Sequence, residues 1–84
     1  MSKKLVEAED LVRIINSAIE LQWNHVGTYC RVEALRKTES GTNNWQVDTT
    51  STGGTTLMFA DQCTQIQGKV IDELAEQYDV DWPN

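Results

Sequence analysis

Basic residues are scarce in this chain. Seven Lys and Arg stand against thirteen Asp and Glu, giving a net charge of −6 over 84 residues. Nucleic acid is bound chiefly by neutralising phosphates with Lys and Arg, so direct DNA or RNA binding is disfavoured, although Arg31, Arg36 and Lys37 form a small basic group. Long apolar runs are missing as well. With no stretch of ~18 apolar residues, no membrane span is expected. The opening "MSKK" is basic, but "LVEAEDLV" follows where the apolar core of a signal peptide would stand. A secretory signal is therefore not expected, and a cytoplasmic location is the default. Cysteine is limited to Cys30 and Cys63, too few for a secreted disulfide framework. Both read as buried thiols that pack as small apolar side chains.

Histidine occurs once, as His25. Any Ser-His or Cys-His nucleophile would have to use it. Cys30 reads as inward-facing on a strand, while His25 belongs to the loop before it, so the geometry for a catalytic pair is not expected. Neither C-x-x-C nor H-x-x-x-H occurs, which leaves no recognised metal-ligand spacing. "STGGTT" has two glycines but no following lysine, so it is a connector and not a phosphate loop. The expectation is a protein that is not an enzyme, with no catalytic residue, no cofactor and no metal.

What the chain does contain is amphipathic structure. Its length suits a single domain over residues 1–84, and 39% hydrophobic residues spread along it suffice for a core. From about Val6 to Gln22, Leu11, Ile15, Ala18 and Ile19 recur at helical spacing, with Glu7, Glu9 and Asp10 in the first turns where the helix dipole favours them. Cys30, Val32 and Ala34 alternate with Arg31, Glu33, Leu35 and Lys37, as in a strand with one wet face. "TESGTNN" supplies a turn, and Trp45, Val47 and Thr49 alternate again after it. Two alternating runs around a turn predict an antiparallel hairpin. A second helix is predicted from about Asp61 to Tyr78 on the stripe Cys63, Ile66, Val70, Leu74 and Tyr78. Gly68 inside it is expected to allow close approach of the first helix. Leu57–Phe59 reads either as a third strand or as the start of that helix.

The predicted fold is α+β, with two helices packed on one face of a small antiparallel sheet. The order is α-β-β-α, or α-β-β-β-α if Leu57–Phe59 is a strand. A lone hairpin is barely stable in water, so strand pairing across a homodimer would enlarge the sheet and cover its edges.

Charge points to function more than any motif does. Residues 59–84 hold Asp61, Asp72, Glu73, Glu76, Asp79 and Asp81 against Lys69 alone. Asp72, Glu73, Glu76 and Asp79 fall towards the end of the predicted helix, where the dipole favours cations. Such acids serve solubility, or they form a surface for a basic protein partner. Trp82 is the aromatic expected nearest to them, either as a binding hot spot or folded back onto the core. The candidate contact residues are thus Asp72, Glu73, Glu76, Asp79 and Trp82, with the open sheet face as second choice. The leading expectation is a small acidic protein-interaction module. The alternative is an acidic mimic of nucleic acid that inhibits a DNA-processing or defence enzyme.

The succession of helix, hairpin with "NWQV", polar loop and a helix closing in "ELAEQYDVDW" resembles small uncharacterised proteins of bacteria and their phages. The resemblance covers most of the chain and brings no catalytic residues with it. It implies an accessory or inhibitory protein of a phage or mobile element. "LQWNHVGTYC", which gathers the rare residues, reads as the joint between the first helix and the hairpin, with His25 at its bend and Gly27 aiding the turn.

Overall fold

A computed structural model of the chain describes residues 3–39, 43–53 and 57–83. The first apolar stripe forms α1 (Ala8–Gln22), which buries Leu11, Ile15 and Ile19 completely. Glu9 and Asp10 occupy its first turn, as the helix dipole favours. The helix does not begin at Val6, because Lys4–Val6 is a short strand, β1.

The hairpin is β2 (Tyr29–Lys37) and β3 (Trp45–Gly53), antiparallel as expected. Its ladder is interrupted once. Val32 lies opposite Thr50 and Leu35 opposite Val47, but between them Ala34 pairs with Thr49, so Glu33 on β2 and Asp48 on β3 are each passed over. One skipped residue turns a strand over. Cys30 and Val32 are buried before the interruption, and Leu35 packs on the core after it. Strict alternation would have left Leu35 on the wet face. Trp45 is buried and Val47 packs beside it.

The second helix, α2, spans Leu57–Ala75, so Leu57–Phe59 starts the helix and is not a third strand. The helix also stops short of Tyr78. A turn closed by the Gln77 N–H to the Leu74 carbonyl (3.0 Å) leads into β4 (Tyr78–Val80), which pairs with β1 in parallel. The observed order is therefore β-α-β-β-α-β, with two two-stranded sheets in place of one. The α+β class with two helices stands; the bare α-β-β-α order is extended by a strand at each end.

One core joins these elements. Cys63 and Val70 of α2 and Val80 of β4 are buried against α1 and the hairpin. Cys30 and Cys63 are not free thiols: their inward stripes meet, and the two form a disulfide with Cα atoms 5.8 Å apart. Gly68 corrects a further expectation. A Cβ added there would meet nothing within 4 Å, so no helix approaches closely at that point. Among the described residues, no helix is long and apolar enough to cross a membrane.

Candidate functional site

The five predicted contact residues divide into two groups. Asp72 and Glu73 on α2, and Glu76 in the turn after it, are exposed. At positions i, i+1 and i+4 they cover neighbouring ground on the helix surface. The last turn of α2 carries no basic residue. Among the described residues the ion pairs are Lys3–Asp79 and Arg13–Asp10, so none engages these three carboxylates. They form an acidic strip at the negative end of a helix, with Lys69 one turn before Asp72 and Glu73 as the one basic residue of α2.

Asp79 and Trp82 are built into the fold. Asp79 lies on β4 with its Oδ1 3.7 Å from Lys3 Nζ, an ion-pair distance too long for a hydrogen bond, and that oxygen is buried without a hydrogen-bond partner. Trp82 is half-buried, packs against the core and donates from its indole N–H to the Asn44 carbonyl at 2.9 Å. Its neighbourhood is nevertheless acidic. A cleft of about 560 Å³ is lined by Glu7, Ala8, Glu9, Asp81, Trp82 and Pro83. The acids at the start of α1 thus converge with Asp81 around one indole, a meeting that only the β1–β4 pairing produces.

Two asparagines position this end and the opposite flank. The Asn44 side-chain Nδ2–H donates to the Val80 carbonyl (2.8 Å), and the Val80 backbone N–H donates to Asn44 Oδ1 (2.9 Å). The carboxamide therefore takes the place of a neighbouring strand. Trp45 adds an indole N–H bond to the Tyr78 carbonyl at 3.1 Å, which ties the hairpin tip to β4. Asn16 repeats the device on α1: its N–H donates to the Val32 carbonyl (2.9 Å), and its Oδ1 accepts from Val32 N–H (2.7 Å). Asn16 falls outside the apolar stripe read for the first helix, and Asn44 ends the turn segment "TESGTNN". Isolated carboxamides carry no spacing signal that would have revealed the pairing.

The joint at residues 23–31 lines a second cleft, of about 540 Å³. Gly27, at φ +82°, makes the turn. Thr28 Oγ1 donates to the His25 carbonyl (2.8 Å) and accepts from the Trp23 indole (3.1 Å). The His25 ring stacks on Phe59 of α2, centroids 3.9 Å apart, with Trp23 edge-on at 4.9 Å. Its Nε2 lies 2.6 Å from Gln62 Oε1. These contacts pin the joint to α2. Cys30, in the lining of the same cleft, is not a free thiol, because its sulfur is held in the disulfide. Beside the cluster, the Arg31 guanidinium lies 4.5 Å from the Tyr29 ring centroid and Val26 is fully exposed.

No protein-family model matches this chain, and neither a curated protein nor a solved structure does.

Proposed function

We propose that the protein is a non-enzymatic interaction module whose acidic end captures a basic protein. The reading is carried by one observation: Asp72, Glu73 and Glu76 are exposed, adjacent and unpaired where the helix dipole disfavours them. Carboxylates so placed lower the stability of their own helix. Complementary charge on a partner would speed encounter and select that partner over others. The cleft with Glu7, Glu9 and Asp81 around Trp82 supplies an aromatic wall with carboxylates beside it, a setting suited to a Lys or Arg side chain.

A mimic of nucleic acid is supported less well. The strip from Asp72 to Glu76 rises only about 6 Å along the helix axis. A duplex backbone presents charge continuously over many times that length.

The test is affinity capture from cells of origin with the wild type and with Asp72→Lys, Glu73→Lys and Glu76→Lys combined. Loss of the captured set by a variant that keeps its circular dichroism supports the reading; unchanged capture overturns it. Trp82 is left intact in this experiment, since its indole is part of the fold. The bridge between Cys30 and Cys63 also bears on location. Disulfides persist in oxidising compartments, which weighs against the cytoplasmic default. Thiol trapping in intact cells reads this directly.

A further inference from the structure

A molecule whose sheets have two strands each must deal with several open edges. β4 lies between β1 and the Asn44 carboxamide, so both its sides are occupied. β1 is three residues long and opens with Lys4. The outer edge of β2 is held at its middle by Asn16. No described residue covers β3 in this way. Among the described residues, no hydrogen bond from outside its ladder with β2 reaches the backbone of Gln46 to Gly53. Its sequence, "WQVDTTSTG", also lacks the Lys, Arg and Pro that commonly blunt an exposed edge.

The ladder shows which groups this edge offers. Val32 turns its N–H and C=O away from β3, towards Asn16. Opposed residues of an antiparallel pair exchange both bonds or neither. Thr50, opposite Val32, therefore turns its own N–H and C=O outward. Asp48, Thr49 and Thr50 are exposed, so approach from that side is open.

We propose that β3 pairs antiparallel with β3 of a second copy, about a two-fold axis at Thr50, to form one four-stranded sheet. Charge selects this occupant. The only charged residue of β3 is Asp48, and the acidic strip lies on α2, so two copies meet here with little opposed charge. Threonines brought face to face across the new pair are favourable neighbours. Area sets the strength. An axis at Thr50 aligns Val47 to Gly53 of each copy, a stretch about 23 Å long, and a sheet is about 10 Å thick, so pairing covers roughly 460 Å² in total. That is short of the roughly 1,000 Å² of a durable interface, so the dimer belongs to the weak, transient class. Salt strengthens it by screening the repulsion between two chains of charge −6.

The proposal is independent of the acidic contact surface, and salt separates the two: it favours the dimer and weakens capture of a basic partner. Sedimentation equilibrium from about 10 μM to about 1 mM spans that weak range, and the apparent mass should double towards the top of it. Thr50→Pro removes an N–H that the ladder with β2 does not use, and should stay folded and monomeric. Should that variant fail to fold, hydrogen exchange at Thr50 of the wild type decides, slowing several-fold as concentration rises. A monomer throughout the range, a dimer indifferent to Thr50→Pro, or exchange independent of concentration overturns the proposal. In the first case the edge is left for an extended segment of another protein.

Discussion

Asn16 and Asn44 are where single side chains do the work of a missing strand. Each satisfies one buried-edge N–H and one C=O, and a carboxamide is the smallest group able to do both. Asn16→Ala should lower unfolding free energy by about 1–3 kcal/mol, because both Val32 groups lose their partner. Urea denaturation checks this. Gly68 runs the other way. Being exposed, with open space around it, it gains from Gly68→Ala by about 1 kcal/mol of helix propensity. The melting temperature should rise by roughly 4–8 °C in calorimetry. The sequence contained the clue. Gly68 lies two positions from both Ile66 and Val70, which puts it away from the apolar stripe. The asparagines left no such clue, because their partners are backbone groups whose location only the tertiary fold decides.

At the scale of elements, both helices and the hairpin were legible from periodicity, while the short flanking strands were not. β4 did carry a signal: Tyr78, Val80 and Trp82 alternate with Asp79 and Asp81, a period of two that the preceding helical stripe masks, since Tyr78 fits both patterns. β1, at three residues, is too short for any period to register. The disulfide follows from elements meeting, and spacing alone could not reveal it. It closes a loop of 33 residues, a constraint worth about 3–4 kcal/mol in the chain-entropy account. Replacing Cys30 and Cys63 together by Ala should remove stability of that order, read as a lowered urea midpoint relative to the oxidised wild type. At the C-terminal end of α2, the triple charge reversal of Asp72, Glu73 and Glu76 should raise the melting temperature. Each lysine there adds a few tenths of a kcal/mol by complementing the dipole. A variant that melts higher yet captures less would separate the cost of the strip from its use.

For the molecule as a whole, the ends organise the acidic surface. Sequence reading located the negative charge in residues 59–84, but it could not bring Glu7 and Glu9 to the same cleft as Asp81 and Trp82. That requires β1 to lie beside β4, a contact between the extremes of the described chain. Capture of a basic partner should therefore weaken as ionic strength rises from about 50 to 500 mM, because exposed pairs are screened over a Debye length. Surface plasmon resonance across that range measures it. Insensitivity to salt would point to an apolar contact surface instead.

The parallel register of β1 and β4 has a mechanical consequence. Lys4 lies opposite Tyr78, and Val6 opposite Val80. A pull applied before β1 and after β4 draws the two strands past one another along their length. Every hydrogen bond of the pair, together with those from Lys4 N–H to Gln77 and from Asp81 N–H to Val6, then bears load at the same moment. Strands peeled from one end would break these bonds in turn. The two short strands thus act as a shear clamp between the first and last strands of the described chain.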